Sequence, residues 1–163
     1  MVCETPRSWV NLIDEESGLY NRLYLVHFLN EAFARSRRYG TPLSCVLFRA
    51  SWWRGLEEVA HPPREAVRSL GRFLLLGVRE GDILGRWSAR EFLLAAPNTA
   101  REGARACMQN ILGKLRSCRL EEAAGLHVLV RAGEAGLPED EARVRYPEDL
   151  PLLARERLLT ASR

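Results

Sequence analysis

The sequence contains no run of 18 or more apolar residues, so it offers no segment able to cross a bilayer as a helix. Its first residues, Met1-Val-Cys-Glu-Thr-Pro-Arg7, carry an acid and lack an apolar core, and so do not resemble a secretory signal. The cysteines Cys3, Cys45, Cys107 and Cys118 are scattered without C-x-x-C spacing, and two of them lie inside apolar patterns. They are expected to be reduced core thiols of a cytoplasmic protein. Charge of one sign is not in excess: 24 basic and 21 acidic residues leave +3. That balance gives no reason to expect nucleic acid as a partner, and no membrane partner is expected either. Repeats and low-complexity tracts are missing too. Where a tight hairpin would want glycine, asparagine or aspartate, the chain has Ser88-Ala89.

What is present is a chain of 163 residues, 47% hydrophobic, enough for one domain with a proper core. Residues 1–13 form a short lead and 14–163 the domain. Arg22 to Tyr39 reads as an amphipathic helix, with Leu25, Phe28, Leu29 and Ala32 at helical spacing, Asn21 as its cap, and Gly40 and Pro42 as its stop. Leu43 to Phe48 is a continuous apolar run, expected as a central strand buried on both faces. Arg64 to Val78 is a second helix, with Ala66, Val67, Leu70, Phe73 and Leu74 on one face. Thr99-Ala-Arg-Glu102 predicts a capping box for a helix reaching Arg116. Its buried stripe is Ala104, Met108, Ile111, Leu112 and Leu115. Leu126 to Arg131 is a strand, and Pro147 opens a last helix running to about Ala161.

Between the second and third helices lies Arg79 to Phe92. Ile83–Trp87 and Glu91–Ala96 are short apolar runs closed by Pro97 and separated by Ser88-Ala89, which predicts a β-hairpin. The turn chemistry requires either another turn shape or a turn that has lost its glycines.

Two stretches together resemble the GGDEF family of diguanylate cyclases. Arg79-x-x-Asp82, three residues, Arg86, one residue and then Ser88-Ala89-Arg90-Glu91-Phe92 is similar to the family's Arg-x-x-Asp motif and its Gly-Gly-Asp/Glu-Glu-Phe signature, of which only Glu91 and Phe92 survive. Asp14, Gly18, Leu19, Asn21 and Arg22 match the family's opening motif, Asp-x-Leu-Thr-Gly-Leu-x-Asn-Arg. Gly133 and Ala135 fit its Val-Ser-Ile-Gly-Val-Ala strand, and Ala154, Leu158 and Ala161 its closing helix. The resemblance implies an α+β fold, a mostly antiparallel central sheet of about five strands flanked by helices, as in nucleotide cyclases.

The resemblance also implies what chemistry to look for. Family enzymes join two GTP molecules with two Mg²⁺ ions held by carboxylates. The aspartate that closes the first strand is Arg49 here, a second aspartate is Ser51, and the signature acid is Arg90. The guanine-reading places fall on Glu57 and Arg64, and the phosphate-binding lysine of the last helix is Ser162. Guanidiniums stay charged and cannot ligate Mg²⁺. No catalytic residue, metal site or cofactor is therefore expected, and the signature Ser88, Ala89, Arg90, Glu91, Phe92 is expected to be degenerate. Arg49 and Arg90 have two readings: one of them pairs with Glu91 and plugs the site, or they form an anion site without metal. Trp52-Trp53 is either a base-stacking platform or core. His61, before Pro62-Pro63, is expected to be a turn residue.

Arg79 and Asp82 match the family's inhibitory site, which binds cyclic di-GMP. A planar guanidinium suits a phosphate and a base face, and a carboxylate accepts from a guanine edge. A further cation from the next helix, among Arg101, Arg105, Lys114 and Arg116, would complete such a site. The sequence fits two functions: a catalytically inactive receptor for cyclic di-GMP, or a module that binds a protein partner or a second copy of itself without nucleotide.

Overall fold

The computed structural model describes residues 11–117 and 125–160, with side chains of the last helix described through Leu158. Cys3, Cys118, Ala161 and Ser162 lie outside the described residues. The order of elements is α1 (Arg22–Tyr39), β1 (Leu43–Arg54), β2 (Glu57–Val59), α2 (Arg64–Leu75), β3 (Ile83–Ser88), β4 (Glu91–Pro97), α3 (Arg101–Ser117), β5 (His127–Leu137) and α4 (Asp149–Thr160). The fold is α+β, with one five-stranded antiparallel sheet.

β1 is the centre of that sheet. β5 lies along one edge of it, from Leu43↔Leu137 to Trp53↔His127. β4 lies on the other edge from Leu43↔Pro97 to Arg49↔Glu91, and β2 takes over from Trp52↔Val59 onward. β3 pairs outside β4. Because successive side chains of a strand point to opposite faces, β1 feeds two cores. Val46, Phe48, Ala50 and Trp52 pack with Ala66, Val67, Leu70 and Leu74 of α2 and Ala104 and Ile111 of α3. Leu43, Cys45 and Leu47 pack with Leu25, Leu29 and Phe33 of α1 and Leu150, Leu153 and Ala154 of α4. Trp52 is therefore core, and the sheet is a middle layer between two pairs of helices.

α1 has the limits its sequence predicts. Asn21 Oδ1 accepts from Tyr24 N at 3.0 Å, and Gly40 ends the helix at φ +64°. Elsewhere the ends move. β1 continues six residues past Phe48, because β5 pairs it as far as Trp53 and β2 pairs Arg54. α2 stops at Leu75, since Leu76, Gly77 and Val78 close with single-turn hydrogen bonds instead. The capping box of α3 does not form. Thr99 Oγ1 donates to Pro97 O at 3.0 Å, and the Arg101 N–H is met by Glu139 Oε1 at 3.2 Å. α4 begins at Asp149, two residues after Pro147, where Asp149 Oδ2 accepts from Arg145 N and Tyr146 N, each at 2.8 Å.

α4 rests directly on β5. A Cβ added at Gly133 would collide with Ala154 O and lie 2.7 Å from Leu158 N. No residue larger than glycine fits there, which fixes how close the helix lies to the sheet.

Candidate functional site

β3 and β4 form the predicted hairpin, with the turn at Ala89-Arg90, one residue later than Ser88-Ala89. Neither turn residue has positive φ, so the mirror-image turns that demand glycine are not used. The register instead shifts between Arg86 and Ser88, leaving Trp87 as a bulge that absorbs the twist. Arg86 holds this turn from behind. Its Nε donates to Ser88 O at 2.7 Å and its Nη2 donates to Ala89 O. The same guanidinium, 8% exposed, faces Asp14 at 3.6 Å and Glu16 at 3.3 Å. Asp14 is itself fixed by Ser17, whose N–H and hydroxyl donate to Oδ2 at 2.8 and 2.7 Å. Arg22 completes the link, donating to Trp87 O at 3.3 Å with its guanidinium 4.4 Å from the Trp87 ring centre. The residues of the opening motif thus act on the hairpin through space.

Glu91 begins β4 and is 5% exposed. Arg155 of α4 grips it with two parallel bonds, Nε to Oε1 at 2.9 Å and Nη2 to Oε2 at 2.6 Å. Ser88 Oγ donates to Oε2 at 2.9 Å. Glu91 is therefore paired by Arg155, and neither of the two arginines expected to plug the site does so. Arg90 instead turns to Glu58 of β2. Arg49 sits directly across from Glu91 on β1, yet its side chain makes no hydrogen bond or ion pair among the described residues. Arg49, Ser88, Ala89, Arg90, Glu91 and Arg155 line one open cleft of about 430 Å³. Phe92, next to it in sequence, faces away into the core.

Arg79 and Asp82 lie at the other end of β3. Asp82 N donates to Arg79 O at 3.2 Å, closing a four-residue turn in which Gly81 takes φ +92°. That is the glycine position of a type II turn. Arg79 is exposed and makes no hydrogen bond through its side chain among the described residues. Asp82 is half-buried. Burial pushes its carboxyl above the usual carboxylate range, against the Arg79 N–H and the Arg79 charge, which both lower it. Cys107 of α3 stands behind the pair, and burial with the Asp82 charge pushes its thiol up as well.

The two groups of predicted residues are not brought together, because the six residues of β3 separate them by roughly 20 Å. Of the cations considered on α3, Arg105 is bound to Glu134 at 2.7 and 2.9 Å and Arg101 to Asp140 at 3.1 Å. Lys114 is exposed and lines a cleft with Gly77, two residues from Arg79. Glu57 is exposed on β2, and Arg64 is spent on Glu15 O at 2.6 Å. Arg155 was not foreseen, since nothing in the local pattern of α4 marks it. Among the described residues no three of His, Cys, Asp and Glu cluster to hold a metal ion.

Residues 11–158 match the family model described as diguanylate cyclase, GGDEF domain. The chain belongs to the GGDEF family. Its fold matches the GGDEF domain of FimX from Pseudomonas aeruginosa with a TM-score of 0.77 and 20% identity, over 93% of this chain and 94% of that one. The GGDEF domain of DgcB from Caulobacter crescentus, solved with c-di-GMP, matches with a TM-score of 0.75 and 15% identity over 93% and 87% of the two chains. Diguanylate cyclase SiaD of Pseudomonas aeruginosa, solved with its activator SiaC, matches with a TM-score of 0.70 and 23% identity. This GGDEF domain covers 93% of its own length and 58% of SiaD in that match. A comparison with curated protein sequences found no match. These structural likenesses concern the fold, and no helix among the described residues is long and apolar enough to cross a membrane.

Proposed function

We propose that this GGDEF domain is catalytically inactive and serves as a receptor for cyclic di-GMP, bound through Arg79 and Asp82. The observation that carries the reading is the exposed Arg79 guanidinium, with no side-chain hydrogen bond among the described residues, held beside Asp82 by the Gly81 turn. A free guanidinium can take a phosphate in two parallel bonds, and the neighbouring carboxylate can accept from a base edge. The c-di-GMP complex of DgcB supports this as a ligand for the fold. Lys114, which lines a cleft with Gly77, is the cation this reading adds as a third group.

Inactivity follows from the cleft at the hairpin. Mg²⁺ wants several oxygen ligands in octahedral geometry. The cleft offers one carboxylate, Glu91, already engaged by two guanidinium nitrogens and a hydroxyl. Arg49, Arg90 and Arg155 around it repel a cation. This donor set does not suit Mg²⁺, and the signature is degenerate in function as well as in sequence.

The test is thermal unfolding with and without cyclic di-GMP, on wild type and Arg79→Ala, alongside a GTP turnover assay with Mg²⁺. At a hundredfold excess over Kd, the ligand should add about 2.7 kcal/mol, a shift of several degrees. The shift should vanish in Arg79→Ala, and no cyclic di-GMP should form from GTP. Absence of any shift at millimolar ligand would sink the receptor and leave a module for a protein partner or a second copy. Metal-dependent turnover would sink inactivity.

A further inference from the structure

We infer that the cleft between the end of α2 and the second half of α3 docks an acidic amphipathic helix of a protein partner. Phe73, Leu76 and Gly77 form one wall and Ile111, Lys114 and Ser117 the other, around a volume of about 170 Å³. Close contact fixes the floor. A Cβ added at Gly77 would collide with Ile111, and Cys107 of α3 donates its thiol to Gly77 O at 3.5 Å. Ile111 is buried, but the lip of the cleft is not: Leu76 is 84% exposed and Leu75 beside it 50%. A single exposed leucine needs no explanation. Two in succession at the mouth of an apolar cleft form a patch that a partner can cover.

Charge selects the partner. α2 carries no acid after Glu65, and α3 none after Glu102. Arg72 lies four residues before Leu76, hence on the same side of α2, and Lys114 lines the opposite wall. Both are exposed, and neither side chain makes a hydrogen bond or ion pair among the described residues. An apolar slot flanked by two such cations is complementary to an apolar side chain flanked by carboxylates. Both walls are built on helices, and the groove between two helices is filled by the ridge of a third. A recess of this size holds one large apolar side chain, which a flat membrane surface does not present. A second copy does not supply the acids either, since none of α1, α2, α3 and α4 carries more acid than base. The occupant is therefore a different protein. Lys114 is also the third group of the cyclic di-GMP reading, but the docking surface does not rest on that reading.

The experiment selects helical peptides from a phage-displayed library on the whole chain, without nucleotide. The strongest binder is then synthesised and titrated by fluorescence anisotropy. Selected sequences should place leucine or an aromatic residue at helical spacing with Asp or Glu beside it. Leu76→Glu, a change at an exposed position, should weaken the peptide about tenfold or more. Lys114→Glu should also weaken it, and should bind better to the same peptide with lysine in place of its acids. Binding to wild type should fall as salt rises. Arg79→Ala should leave peptide binding intact, so a failure here is separate from a failure of the cyclic di-GMP reading. No enriched peptide, peptides without acids, or binding that persists in both Leu76→Glu and Lys114→Glu would overturn the proposal. Sedimentation and phosphatidylserine vesicles cover the rival occupants. Self-association that Leu76→Glu abolishes would replace the partner with a second copy. Vesicle binding that Leu76→Glu abolishes, with no peptide bound, would replace it with a membrane.

Discussion

Arg155 and Glu91 lie 64 residues apart and are joined by two parallel hydrogen bonds of 2.6 and 2.9 Å. They tie α4 to the first residue of β4, directly beneath the hairpin turn.

Breaking that pair from one side strands a buried charge. Arg155→Met leaves Glu91, 5% exposed, with only the Ser88 hydroxyl. The variant should lose about 2 kcal/mol, less than a fully buried pair because Arg155 is one-third exposed. Arg155→Met with Glu91→Met should lose less than the two single changes added together, with a coupling of about 1–3 kcal/mol in urea unfolding. Additive losses would mean that the two side chains act separately.

Arg86 should matter more than any residue of the turn it supports. Arg86→Met removes the donors to Ser88 O and Ala89 O and the charge facing Asp14 and Glu16. A loss of about 3 kcal/mol is expected. Arg86→Lys keeps the charge but not the fork, and should still lose about 1 kcal/mol. Hydrogen exchange should show the β3–β4 amides opening first in both.

Acid should attack the far end of the molecule. Asp140 is buried, and burial alone would raise its carboxyl. The Arg157 hydrogen bond, the Gly136 N–H and the Arg157 and Arg101 charges outweigh this and hold it below the ordinary 3.8. A carboxyl lowered in the folded state contributes its stability above its unfolded value and loses it as pH falls through the folded one. Stability should therefore decline as pH drops below about 4. Asp140→Asn should be weaker by about 2 kcal/mol at neutral pH and show a flatter acid limb. Identical acid limbs in the two proteins would exclude Asp140 as the cause.

Arg79 and Asp82 should behave oppositely to these. Arg79 is exposed, so Arg79→Ala should change stability by no more than about 0.5 kcal/mol. The Asp82 carboxyl is raised, chiefly by burial, so its share of stability is present below the ordinary value and lost as pH climbs through the raised one. Asp82→Asn should thus be no less stable than wild type at neutral pH. A large loss in either variant would make the pair structural.

How much of this was legible in the sequence depends on range. α1 was readable to its ends, because Asn21, the helical spacing and Gly40 act within one turn of themselves. The hairpin was readable from two apolar runs. Its turn was misplaced by one residue, since the bulge at Trp87 is set by Arg86 rather than by turn chemistry. β2 went unseen: three residues, mostly exposed, carry no alternation to detect. At the candidate site, the positions of Arg79, Asp82 and Glu91 were visible as a pattern. Their partners were not. Arg155, Glu58 and Asp14 reach the hairpin from α4, β2 and the segment before α1, and no local period encodes that.

Gly133 lets α4 lie on β5 without a spacer, so Gly133→Ala should cost about 2–3 kcal/mol and push the helix outward. Arg155 rides on that helix, and the loss should include part of its pairing with Glu91. Circular dichroism should show the fold kept and the melting point lowered.

The carbonyls of Ser88 and Ala89 face Arg86, and the Arg90 carbonyl accepts from Ala50 N at 2.8 Å. The instructions for the hairpin's shape are therefore stored behind its tip. The tip can be rewritten, residue by residue, while the loop it draws stays the same.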